Sequence, residues 1–310
     1  MPPTPTAYWI GFHLALLLLL AVERTYALRQ LRLGRDPQRR ALVTTSLWVT
    51  TALSLAAFLH HTFGPAASAQ YLTGYVIEQS LSIDNLFVFL LLFRLFQVDS
   101  IRQPRVLFWG VAGAILLRGL FIAGGLTLLA HFTWITYAFA LILLIAAARL
   151  LFPDAQSHPA VTPRWLAWLT HLQPISPRQD CFVVRENGRP MATVLLLALV
   201  AIELCDVVFA LDSIPAVLSI TRNAFLAYTS NIMAVMGLRA LYFLLIGALV
   251  RLRFLHYGLA AVLGFAAFKM LLSRWIEISP LASLTAVLIL LAITLGASLL
   301  APASEKTSTQ

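Results

Sequence analysis

The 310 residues are 60% hydrophobic and 11% charged, with a mean hydropathy of +0.85; an ordinary soluble domain has about a quarter of its residues charged. That shortage of polar surface excludes a water-soluble globule. The net charge of +9, from 22 Lys+Arg against 13 Asp+Glu, lies mostly in short segments between apolar runs, so it reads as membrane topology rather than as a nucleic-acid footprint.

In chain order, separate apolar runs of about 20 residues are each long enough to cross a bilayer core as a helix. They predict nine spans: 8–28, 41–60, 72–94, 106–129, 132–152, 192–218, 224–248, 255–273 and 280–300. Short alternating strands, the mark of a membrane barrel, do not occur. The expected fold is therefore all-α, a polytopic transmembrane helical bundle forming one membrane domain over 1–310. The opening MPPTPTAYW has no basic segment ahead of its apolar run, so the first span reads as a retained helix rather than a cleaved signal.

Basic residues alternate between the connections. Arg24, Arg29, Arg32, Arg35, Arg39 and Arg40 fill the first, and none falls in HHTFGPAASAQ. Arg94, Arg102 and Arg105 fill the third, and Arg164, Arg178, Arg185 and Arg189 lie in the long loop 153–190. The positive-inside rule then places the N-terminus outside and the C-terminus in the cytoplasm. Within the cytoplasmic loop, PRWLAWLTHL carries Trp165, Trp168, Leu169 and Leu172 at helical spacing, which suits an interfacial helix or two anchoring tryptophans. Cys181 in the loop and Cys205 in a helix form no disulfide framework.

Ionised groups are expensive inside a bilayer, at least about 2.5–3.5 kcal/mol each at its centre. Even so, the third span holds Glu78 and Asp84, and the sixth holds Glu203, Asp206 and Asp212. Some of these carboxylates can serve simply to neutralise the deep cations Arg118 and Arg239, but they outnumber those cations. Their register is specific. Asp84 follows Glu78 by six residues, Asp212 follows Asp206 by six, and a small polar residue comes next in each case, Asn85 and Ser213. The flanking helices also recur: LLRGLFIAGG around Arg118 matches GLRALYFLLIG around Arg239, and Tyr137 and Arg149 match Tyr257 and Lys269. Two three-helix repeats follow, 72–152 and 192–273, flanked by helices 8–28, 41–60 and 280–300. An odd helix count inverts one copy relative to the other, a transporter architecture with its site near the midplane.

Six residues rotate a straight helix by about 600°, so the two acids of a pair do not face one ion. Pro215 frees the carbonyl of Leu211, which predicts a kink or unwound turn over 211–215. Carboxylate, amide, hydroxyl and carbonyl oxygens together suit Mg²⁺, Ca²⁺ or Mn²⁺. Such ligands release protons when a cation arrives, which makes proton coupling physically cheap.

The segments ExxLSxDNxFV at Glu78–Val88, ExxDxVFAxDSIPAV at Glu203–Val217 and SNIMAVMGLRALYFLL at Ser230–Leu245 resemble the signature segments of the TerC family of integral membrane proteins. The similarity runs from about residue 8 to 300. The resemblance implies a bacterial inner-membrane exporter of Mn²⁺, in a family named for its association with tellurite resistance. It implies that Glu78, Asp84, Asp206 and Asp212 occupy metal-site positions, with Asn85, Glu203 and Ser213 as further candidates. Arg118, Arg239 and Lys269 fall on family-like positions and are read as counter-ion or gating residues. Glu23 departs from the pattern, where an Asp is expected in many relatives. The expected partners are lipid, a metal cation and protons, without nucleic acid. No nucleophile–base pair or resident cofactor motif points to an enzyme. The competing reading is an accessory protein for membrane-protein assembly that transports nothing itself.

Overall fold

The computed structural model describes residues 4–34, 36–130, 133–151, 175–176, 178–186, 188–221, 223–249, 254–273, 275 and 278–300. The side chains of Asp84, Arg149 and Asp212 lie outside the described residues, as does the segment 152–174 with its predicted interfacial helix. Among the described residues there are nine helices: α1 (Thr6–Arg32), α2 (Pro37–Phe63), α3 (Pro65–Leu95), α4 (Gln103–Ala130), α5 (Thr133–Leu151), α6 (Val194–Ile220), α7 (Ala224–Leu249), α8 (Leu255–Leu272) and α9 (Pro280–Leu300). Seven of them, α1–α4, α6, α7 and α9, contain stretches long and apolar enough to cross a membrane. A shorter apolar stretch, Tyr257–Leu272, lies in α8.

The helices outrun the apolar runs because local chemistry sets their ends. The Asp36 side chain accepts a hydrogen bond from the Gln38 amide at 3.0 Å, and Pro37 sits at the first helical position. Both are favourable at a helix start. Gly64 closes α2 and opens α3 at φ +86°, a left-handed value that glycine adopts without a Cβ clash. This single residue joins two membrane-length helices.

The central helix is α3, which packs against α2, α6, α7, α8 and α9. All residues of its Leu86–Phe93 stretch are buried, as expected for a helix that is apolar all round. Two further contacts join α4 to α6 and α4 to α7, and α5 lies along α8. Helix α1 is peripheral. Only Phe12 and Leu16 are buried, while Leu14, Leu17 and Leu18 face outward.

Two local expectations change. The chain is not purely helical: β1 (Ile175–Ser176), β2 (Val183–Glu186) and β3 (Arg189–Thr193) form a small sheet in the order β1-β3-β2. β1 runs parallel to β3, and β2 runs antiparallel to it. These strands are too short and too polar to stand out beside membrane helices. The residues between β1 and β2 anchor the sheet to the α3–α4 turn. The Asp99 amide donates to Gln179 Oε1 at 2.9 Å, and Arg102 pairs with Asp180 at 3.1 Å. The second change is at Pro215. Helix α6 runs unbroken from Val194 to Ile220 with the proline inside it, so the predicted unwound turn is absent. Packed neighbours let membrane helices tolerate the one missing backbone bond.

Close helix approach is specified by small residues. A Cβ at Gly258 of α8 would lie 2.6 Å from the Thr294 side chain of α9. Gly258→Val is therefore expected to destabilise the protein by about 1–3 kcal/mol through overpacking. A lowered thermal midpoint in detergent would register it, and an unchanged midpoint would show that α9 yields freely.

Candidate cation site

Arg118 of α4 is 0% exposed and is the hub of the interior. Its Nε and Nη2 donate to the two carboxylate oxygens of Asp206 on α6, at 3.1 and 2.7 Å. Its Nη1 donates to Glu78 Oε1 on α3 and to Asn231 Oδ1 on α7. One guanidinium thus ties four helices together and pairs with two acids. The fork of N–H groups suits this bidentate geometry, which an ammonium lacks. Buried ion pairs are retained only when nearly every lone pair and proton finds a partner.

One atom of this cluster does not. Glu78 Oε2 has no hydrogen-bond partner among the described residues. Glu78 lines a small pocket with Ser82 and Asn85 of α3, Phe209 and Ser213 of α6, and Lys269 of α8. Residues 78, 82 and 85 are spaced so that they share one helix face. Ser82 Oγ, Asn85 Oδ1 and Ser213 Oγ are also buried without partners. Four such oxygens around one pocket are unusual, because native proteins satisfy the large majority of buried polar atoms. The pocket volume is about 20 Å³, enough for one water-sized guest. Asp84 and Asp212 directly precede Asn85 and Ser213 in the chain. Lys269 Nζ donates to Ser283 Oγ on α9 at 3.3 Å.

The remaining sequence candidates lie elsewhere. Asp206 lines a second cavity of about 30 Å³ with Arg239, Gly110 and Ile202. Among the described side chains, Arg239 pairs with none of the α3 or α6 acids. It forms an ion pair with Glu23, whose carboxylate also accepts from Trp48 Nε1 at 3.2 Å. The departure at Glu23 is thus the partner of a buried arginine. Glu203 Oε2 has no partner among the described residues, and the Glu203 carboxylate rests on the small-residue face of α4, where a Cβ at Gly113 would overlap it. Among the described residues no three His, Cys, Asp or Glu side chains converge as a metal cluster. The donors that converge are instead mostly neutral oxygens, a set suited to a hard cation. Asn231 was not singled out from the sequence. Its signal is an amide in the middle of an otherwise apolar span, buried at 0% exposure.

Residues 63–307 match the model of the integral membrane protein TerC family. The chain is 36% identical over 302 residues to "Uncharacterized membrane protein STKORF319" of Myxococcus xanthus, covering 97% of this chain and 94% of that one. It is 39% identical over 300 residues to "Putative membrane-bound redox modulator Alx" of Salmonella typhi, covering 93% and 92%. A membrane protein of Rickettsia bellii is 31% identical over 294 residues, covering 94% and 97%. No solved structure matches the chain. With the family model spanning most of its length and these relatives matched nearly end to end, the chain belongs to the TerC family of integral membrane proteins.

Proposed function

We propose that this protein exports a divalent metal cation, Mn²⁺ being the substrate, through the pocket between α3, α6 and α8. The observation that carries the reading is the set of four unpartnered buried oxygens around an ion-sized pocket. Glu78 Oε2, Asn85 Oδ1 and the Ser82 and Ser213 hydroxyls supply hard donors. Asp84 and Asp212, at the adjoining positions, supply the charge a dication needs. Asp206 enters through Arg118, which it holds by both oxygens.

Nine spans and two inverted repeats, α3–α5 and α6–α8, belong to the same proposal. The helix contacts support it by being symmetric under exchange of the triplets. α3 meets α7 as α6 meets α4, and α3 meets α8 as α6 meets α5. The like helices α3 and α6, α4 and α7, and α5 and α8 also touch. On this reading the two repeats are related by a two-fold axis and the pocket belongs near the bilayer midplane. The arginine-rich connections then face the cytoplasm of a bacterial inner membrane. Protons displaced from the acids move against the metal.

The test is Mn²⁺ flux in liposomes carrying the purified protein and an entrapped indicator. Asp84→Asn and Asp212→Asn are each expected to reduce flux by about tenfold or more, through loss of a charged ligand. Undiminished flux in both variants would sink the ligand assignment. A parent protein that moves no Mn²⁺ would favour the accessory, non-transporting role.

A further inference from the structure

We infer that Arg118 is a built-in competitor for the transported cation. By occupying one oxygen of Glu78 it sets the pocket's affinity low enough for release. The inference rests on the divalent-cation reading above and deepens it. The division of labour within the cluster carries it. Glu78 is split between two environments: Oε1 takes Nη1 of Arg118, and Oε2 lines the pocket with no donor. Arg118 is anchored independently of Glu78, because both oxygens of Asp206 hold its Nε and Nη2, and Nη1 also reaches Asn231. The Nη1–Oε1 bond can therefore open while the guanidinium keeps Asp206 and Asn231 as partners.

The exchange balances. A cation entering the pocket takes both oxygens of Glu78, the bond from Nη1 to Oε1 breaks, and no buried charge is left alone. When the cation leaves, the guanidinium reclaims Oε1. A buried carboxylate without this neighbour would be an uncompensated charge in the cation-free state, and it would grip a dication too strongly to let it go. Conduction requires binding favourable enough for entry and weak enough for exit.

The test replaces the anchored pair together, as Arg118→Gln with Asp206→Asn, which leaves the summed charge unchanged and frees Glu78 from its guanidinium. Mn²⁺ binding to purified protein is read from the loss of the free-ion electron paramagnetic resonance signal. At least about tenfold tighter binding than the parent is expected, equivalent to roughly 1.4 kcal/mol, with slower release into chelator. Equal or weaker binding, in a variant that elutes from size exclusion like the parent, overturns the inference. Should the variant fail to fold, infrared difference spectra of the unmodified protein decide, with and without ¹⁵N-arginine. Mn²⁺ is expected to shift an arginine-labelled guanidinium band, and no shift overturns the inference. A parent that binds no Mn²⁺ at all removes the cation reading itself. A parent that binds and transports Mn²⁺ beside a variant that binds no tighter removes only the role given to Arg118.

Discussion

Arg118→Ala is expected to abolish accumulation of the folded protein. The substitution leaves Glu78 and Asp206, exposed by only 1% and 6%, without the cation they share. Removing one partner of a buried ion pair costs about 3–5 kcal/mol, a large part of the 5–15 kcal/mol that holds a typical protein folded. It also unties α4 from α3, α6 and α7 at a single point. Arg118→Met combined with Glu78→Met and Asp206→Leu replaces the charges as a set with apolar side chains of similar volume, and such replacements are often neutral or stabilising. The triple variant is therefore expected to accumulate and elute as a single peak, yet to carry no Mn²⁺, because its pocket has lost Glu78. Membrane yield by fluorescent fusion, size exclusion and liposome flux give the three readouts. If Arg118→Ala accumulates and melts like the parent, the cluster does not hold the bundle.

Much of this was legible in the sequence because the bilayer is an unforgiving solvent. Apolar run length alone placed most ends of the described helices to within a few residues, and the exceptions have local causes. Helix α2 starts early because Asp36 and Pro37 begin it, and α3 starts at Pro65 because Gly64 makes the turn. Burial in a membrane also makes each ionisable residue informative, which is why Glu78, Asp206 and Arg118 were recognisable as interior groups. Their pairing was not legible. Arg118 and Arg239 occupy matching positions in the two proposed repeats, yet Arg118 takes Glu78 of α3 and Asp206 of α6, whereas Arg239 turns to Glu23 of the peripheral α1. The proposed repeat symmetry covers only α3–α8, and α1 stands outside it. The sheet in the 175–193 segment was also illegible, since strands of 2, 4 and 5 residues leave too few positions for an alternating pattern to emerge.

The pocket itself shows why serine and asparagine were harder to read than the acids. A hydroxyl in a membrane helix commonly bonds back to a carbonyl of its own helix, as Ser80 does to Val76 at 2.7 Å. Spacing alone does not separate that bland case from Ser82 two residues on, which is more deeply buried and has no partner among the described residues. Only the position of α6 across from α3 distinguishes them.

Asn85→Leu and Ser213→Ala are accordingly expected to move stability and transport in opposite directions. Each removes a buried oxygen that lacks a partner, and leaving such a group unsatisfied costs about 1–3 kcal/mol. Leucine and alanine do not incur that cost, so both variants should unfold at temperatures a few degrees above the parent in the metal-free protein. Both also delete a neutral donor from the proposed cation pocket, and Mn²⁺ flux is expected to fall about tenfold or more in Asn85→Leu, where the leucine also fills part of the 20 Å³ pocket. Ser213→Ala, which only removes a hydroxyl, should lose less flux. Such a trade of stability against activity is the usual signature of a polar group kept for function. A packing role predicts a different pair of signs, since a residue that serves the bundle would lower the unfolding temperature when replaced. Thermal unfolding followed by size exclusion, together with flux in liposomes, separates the two. Loss of stability with flux intact would show that these oxygens serve the helix interface and not an ion.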